Sequence, residues 1–156
     1  MTLFVLAVAA AVLFYVFVQP RAQAAPTFMV TSDDLPKIIE LLRAAPEESF
    51  ADLLFRPPEA DPKEDPAFIQ YSIEQGQLGF DWVLTSSRNE GDCDAIRAFI
   101  ARQHLSVSDR ELNQVRYLRV EGPGCESLGR KILNEFYRIP RDAPLEMITE
   151  GFDWKP

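Results

Sequence analysis

Sixteen consecutive apolar residues, Leu3 to Val18 (LFVLAVAAAVLFYVFV), divide this chain before any other feature does. Wound as a helix, Thr2 to Val18 reaches about 25 Å, the lower edge of what crosses the hydrocarbon core of a bilayer. None of the first 18 residues carries a charged side chain, so the segment belongs in a membrane, at least transiently. Two readings compete. Ala22-Gln23-Ala24 before Ala25-Pro26 has the small-x-small form of a secretion-signal cleavage site. The Met-Thr start, however, lacks the basic residues such signals carry, and the apolar run exceeds the usual signal core. The reading adopted is an uncleaved anchor over residues 1–19 and a linker over 20–32, with a secreted, cleaved form as the alternative.

Arg21, on the C-terminal side of the segment, places the body of the protein in the cytoplasm by the positive-inside tendency, with a periplasmic body as the alternative. Cys93 and Cys125 would pair in an oxidising compartment and stay thiols in a reducing one, and their spacing does not separate these cases. Two small core residues is the simpler reading.

The remaining stretch, 33–156, has the length of one domain with a core of its own. With 47% apolar and 26% charged residues in the chain, wholesale disorder is ruled out. The formal charge of −8 falls entirely beyond residue 18, which argues against nucleic acid as a partner, because phosphate binding needs a basic surface. Acids concentrate between 33 and 65 and bases between 96 and 141, so the two stretches either face each other, offer opposite patches to a partner, or are simply solvated.

Local patterns predict an α+β fold: a mainly antiparallel sheet of about four strands with packed helices. Thr31-Ser32-Asp33-Asp34 precedes Leu35, Ile38, Ile39, Leu41 and Leu42 at helical spacing, predicting a helix over 34–44. Pro46 suits the start of a second, short helix carrying Phe50, Leu53 and Leu54. A stiff Pro-rich connector follows at 56–66. Strands are expected at 68–73, 80–85, 115–121 and 145–152, with Gly76 and Gly79 in the connector between the first two. A helix capped within 89–94 should bury Ile96, Phe99 and Ile100. Another over 126–138 should bury Leu128, Ile132, Leu133, Phe136 and Tyr137.

Both tryptophans stand in the tetrapeptide GFDW, at 79–82 and at 151–154. The surrounding sequences do not align, so a duplicated module is rejected. Each copy falls at an end of an expected strand, which suits adjacent antiparallel strands packing their aromatics together, with the aspartate turned outward. The candidate contact surface is therefore Tyr71, Phe80, Asp81, Trp82 and Trp154, or an exposed strand edge able to accept a peptide strand.

The stretch FIQYSIEQGQLGFDWVLTS, the late helix ending in Phe136-Tyr137-Arg138-Ile139-Pro140, and the strand close behind it together resemble the YbjN and type III secretion chaperone-like domains of bacteria over residues 66–154. That resemblance implies a peptide-binding or chaperone-like α+β module without a cofactor, and with the anchor it implies a single-pass protein of the inner (cytoplasmic) membrane. The anchor itself departs from the soluble secretion chaperones.

Catalytic constellations are sparse. His104 and Cys93 are eleven residues apart on one expected helix, about 16 Å, too far for a nucleophile and its base. Asp92 and Asp94 beside Cys93 oppose a thiolate there. One histidine and two cysteines without C-x-x-C spacing do not make a structural zinc site, and Glu90, Asp92 and Asp94 lack EF-hand spacing, so no metal is expected. Gly122-Pro123-Gly124 lacks the Gly-Lys-Ser/Thr of a phosphate loop and reads as a tight turn. The sequence thus points to a membrane-tethered protein- or peptide-interaction module, chaperone-like or an assembly factor, with no catalytic or metal-binding residues assigned. The rival is an envelope enzyme whose pocket gathers Asp81, Asp92, Asp94 or Glu121 with raised pKa values.

Overall fold

Thr31 and Asp34 close the first element locally: the Thr31 amide and hydroxyl both donate to the Asp34 carboxylate, at 2.8 and 3.0 Å, and a single 3₁₀ turn (Ser32–Asp34) leads into helix α1, Leu35–Arg43. The structure, a computed structural model, describes residues 27–156. The apolar segment and its reading as an anchor lie outside the described residues, and among these no helix is long and apolar enough to cross a membrane.

Seven strands form one antiparallel sheet: β1 (Thr27–Val30), β2 (Phe50–Phe55), β3 (Ala67–Glu74), β4 (Gln77–Val83), β5 (Ser108–Leu112), β6 (Val115–Glu121) and β7 (Leu145–Glu150), in the order β1-β7-β2-β3-β4-β6-β5. Helices α2 (Ser87–Gly91) and α3 (Cys93–Arg102) join β4 to β5, and α4 (Cys125–Lys131) joins β6 to β7 through a π-helical turn at Ile132–Phe136. The α+β class and the antiparallel sheet are as expected. The number of strands is larger by three.

The three extra strands each have a physical reason. Phe50–Phe55 pairs with β3 and β7 on both sides, so its burial on both faces produces an unbroken apolar run with one aspartate, not a helical stripe. The short helix expected there is corrected to β2. β5 (SDREL) is an edge strand whose charges face water, and β1 is a four-residue edge lying inside the stretch read as linker. The hairpins β3-β4 and β5-β6 turn on Gln75-Gly76 and Asn113-Gln114, all at positive φ (53°, 71°, 51° and 69°), as two-residue type I′ loops require. Gly79, expected in the first connector, lies within β4.

By the two-residue period of strands, one face of the sheet presents Leu53, Ile69, Tyr71, Phe80, Trp82, Leu118, Val120 and Met147. These join the helix residues Leu35, Ile38, Ile39, Leu42, Ile96, Ile100, Leu128, Ile132 and Leu133 in the main core. The opposite face has a separate small cluster, Phe68, Val83 and Tyr117 with Leu54, Leu112 and Val115, which among the described residues is built from strands. The sheet therefore has a helical side and a side on which no described helix contributes to the packing. The acidic and basic stretches are joined, among the described residues, by one ion pair, Arg43 with Glu126, whose signs run opposite to those of the stretches.

Candidate functional site

The aromatic residues expected at a contact surface lie on the helical side, inside the core. Tyr71 and Phe80 are cross-strand partners with ring centroids 5.6 Å apart, edge to face, and both are fully buried. The Tyr71 hydroxyl accepts from the Gly129 amide at 2.9 Å and faces the carbonyls of Cys125 and Glu126, at 3.0 and 2.8 Å, fixing the start of α4 on β3. Trp82 stacks on Tyr137 at 6.3 Å, and its indole N–H donates to the Asn89 carbonyl at 2.9 Å. Trp154 lies beyond β7, under the Lys37 ammonium at 4.8 Å, while Lys37 donates to the Lys155 carbonyl at 2.7 Å.

The two GFDW copies are not neighbours, because β2 and β3 separate β4 from β7. Their glycines also differ in purpose. A Cβ at Gly79 would overlap the Arg119 guanidinium, whereas Gly151 sits at φ 89° in a turn where a Cβ would overlap Ser49. Asp153 is exposed and Asp81 is 1% exposed, so the expected outward aspartate holds for one copy only.

Asp81 belongs instead to a row of polar side chains crossing the other face. Asp52, Gln70, Asp81, Arg119 and Ser108 are successive cross-strand partners on β2, β3, β4, β6 and β5. The first four are buried, each at 4% exposure or less. Arg119 Nη1 donates to both Asp81 oxygens, at 2.8 and 2.9 Å, and to Ser72 Oγ at 2.8 Å, while Ser72 donates to Asp81 Oδ2 at 2.5 Å. Its Nε donates to Glu121 Oε1 at 2.6 Å and its Nη2 to the Gln77 carbonyl at 3.1 Å. With two carboxylates, a hydroxyl and a carbonyl around it, the buried cation has the partners that burial demands.

Asp52 is less well provided. Its Oδ1 has no hydrogen-bond partner among the described residues, and burial, reinforced by nearby Asp81, pushes its pKa up to about 8. Burial raises Asp81 to about 6 against the opposing pull of Arg119 and Ser72. The Arg119 hydrogen bond holds Glu121 below the usual carboxylate range, although burial works the other way. Beside the row, the Tyr117 hydroxyl donates to Glu74 at 3.0 Å, and Arg110 bridges Glu74 and Glu121 at 3.4 and 3.3 Å.

The carboxylates that a catalytic pocket would gather are divided between two places. Asp81 and Glu121 share Arg119, whereas Asp92 accepts from Arg88 Nε and from the Tyr137 hydroxyl, both at 2.6 Å, on the helical side. Glu90, Cys93 and Asp94 line a cleft of about 410 Å³ with Arg97 and Arg116. Both cysteines are free thiols, Cys125 buried, and burial raises its pKa. His104 is exposed at φ 58°. Among the described residues no group of three or more His, Cys, Asp or Glu is placed to hold a metal ion. Sequence reasoning passed over Asp52, Gln70, Ser72 and Arg119; the one signal for Asp52 was a lone charge inside FADLLF.

Compared with models of protein families, with curated proteins and with solved structures, the chain matches none.

Proposed function

We propose that the chain is a protein- or peptide-interaction module tethered by residues 2–18, and that its contact surface is the face of the sheet on which no described helix packs. The observation that supports this reading is that face's composition: half-buried Leu54, Leu112 and Val115 rim the buried Phe68, Val83 and Tyr117, next to a row of polar and charged side chains. Apolar area supplies affinity and the charged row supplies register, the division of labour found in protein contacts. The aromatic positions 71, 80, 82 and 154 support the fold from inside. A partner segment suited to this face is apolar and uncharged along its length, since an added acid would meet Asp81, Glu74 and Glu121, and an added base would compete with Arg119 for them.

The test is a titration of the full chain, held in lipid nanodiscs, with a fluorescein-labelled sixteen-residue Leu/Ala peptide. Saturable binding is expected, weakened at least tenfold by Leu54→Glu with Leu112→Glu while circular dichroism stays unchanged. No saturable binding, or binding indifferent to the double substitution, sinks the reading.

A second reading rests on the raised pKa of Asp52 beside Asp81: a carboxylate pair for acid-base work. Neither residue lines the clefts at α3–β5, at Pro57–Tyr137, at α1–α4 or beside Trp154. Asp52→Asn abolishing a hydrolytic activity of the full chain would establish it.

A further inference from the structure

Two uncommon backbone conformations follow one another beyond α4. Ile132–Phe136 winds as a π-helix, with the Tyr137 amide donating to the Ile132 carbonyl at 3.0 Å, and Arg138 then takes the left-handed conformation at φ 57°. A π turn is rare and frequently occurs at functional sites, and the left-handed position is one that glycine fills without strain. The turn is closed by the Ile139 amide, which donates to the Leu133 carbonyl at 2.9 Å, and by the Asn134 side-chain amide, which donates to the Ile139 carbonyl at 2.8 Å. In a regular helix, consecutive side chains point about 100° apart. Here three in a row, Phe136, Tyr137 and Arg138, line one cleft of about 510 Å³, within the size range of small-molecule sites.

The aromatic wall of this cleft is held in place from behind. Tyr137 stands edge to face with Phe136 at 4.7 Å and with Phe55 at 5.0 Å, and Phe136 does the same with Phe99 at 5.6 Å. The Arg88 guanidinium lies 5.8 Å from the Tyr137 ring, and its charge is already matched by Asp92 at 2.6 Å and Glu64 at 3.5 Å. Pro57 and Pro58 add a stiff apolar surface to the lining. Arg138 is the cation left over: it is exposed and forms no ion pair with any described residue, so its planar fork is open to a carboxylate. Glu59, exposed on the same cleft, and Asp92 set a limit, since a second negative group on the ligand would meet them.

We infer that this cleft binds a monocarboxylate carried on an aromatic ring, with the carboxylate on the Arg138 guanidinium and the ring against Phe136 and the two prolines. The cleft lies on the helical side of the sheet, apart from the proposed contact face, and the inference does not depend on that face. One chemistry here has two sources, a free aromatic acid and the C-terminal phenylalanine of a peptide.

The experiment is a fluorine NMR titration of the full chain in lipid nanodiscs, referenced to empty nanodiscs, with para-fluorophenylpropionate, with its amide, and with acetyl-dialanyl-para-fluorophenylalanine bearing a free C-terminus. Saturable binding of the acid is expected, with the amide at least tenfold weaker. Arg138→Gly should weaken the acid at least tenfold and, because glycine accepts the left-handed conformation, raise the midpoint of urea unfolding. Arg141→Gln, which removes a base that does not line the cleft, should change neither. Tighter binding of the peptide than of the free acid assigns the site to a chain terminus, and binding no tighter assigns it to the free acid. No saturable binding of either carboxylate, an amide that binds as well as the acid, or indifference to Arg138→Gly overturns the inference. So does a glycine variant of lowered stability, because Arg138 then serves the fold.

Discussion

Arg119 and Gly79 form a unit that neither residue makes alone. The guanidinium lies flat on β4 because residue 79 has no side chain, and there it reaches Asp81, Ser72, Glu121 and the Gln77 carbonyl. Arg119→Ala leaves Asp81 buried without its counter-charge and is expected to cost about 3–5 kcal/mol, measured by urea unfolding. Gly79→Ala should cost about 1–3 kcal/mol alone, because the methyl displaces the guanidinium, and much less in an Arg119→Met background. Equal costs in both backgrounds would show that the glycine serves the backbone instead.

Asp52 gives the molecule a pH dependence of definite sign. Its carboxyl titrates near 8 when folded and near 3.8 when unfolded, so between these values the folded chain holds more protons. Stability must then fall as pH rises from 4 to 8, and Asp81, raised to about 6, acts in the same direction. Asp52→Asn removes the larger share: unfolding free energy at pH 8.5 should rise by a few kcal/mol relative to wild type and change little at pH 4. An unchanged slope would mean that Asp52 is solvated in the folded chain.

At the scale of elements, single side chains bind helices to strands. Asn89 is fully buried in α2: its Oδ1 accepts from the Phe68 amide at 3.1 Å, and its Nδ2 donates to the carbonyls of Phe68 and Val83, both at 2.9 Å. The cap expected within 89–94 is Asp92, which starts α3, whereas α2 is capped by Ser86, whose hydroxyl accepts from the Asn89 amide at 3.0 Å. Asn89→Ala leaves two strand ends without partners and should cost about 2–4 kcal/mol, with faster hydrogen exchange at Phe68. Tyr71→Phe strands the Gly129 amide and should cost about 1–3 kcal/mol, with the loss confined to α4 in exchange experiments.

What the sequence disclosed at this scale follows the strength of its periods. α1, α3 and the helix after Gly124 show because each buries one stripe, and β3, β4, β6 and β7 show through their aromatic and branched residues. β2 does not, since burial on both faces erases alternation, and β5 does not, since an edge strand is charged where it meets water. The polar row was invisible for a different reason. Asp52, Gln70, Asp81 and Arg119 lie in four separate strands, and only register brings them into line.

At the scale of the whole molecule, the sheet is two-sided in a literal sense. One side carries its helices and the other an apolar cluster with a charged row. Two copies meeting through the latter side would set Asp52, Glu74, Asp81, Glu121, Glu146 and Glu150 against the same acids, with Arg110 and Arg119 to offset them, so pairing there is disfavoured. Sedimentation in lipid-free buffer should show one monomeric species. A dimer there would assign the face to a second copy.

The strand order carries a consequence in time. β7, the last strand made, lies between β1 and β2, so the first strand has no neighbour to pair with until the chain is nearly complete. At about 5–20 residues per second, more than 100 residues of synthesis separate β1 from β7, a delay of roughly 6–25 s. Throughout that interval the backbone groups of β1 that pair with β7 have no partner in the sheet. The order of manufacture thus leaves the β1 edge to be closed last, after β2, β3, β4, β6 and β5 have all been made.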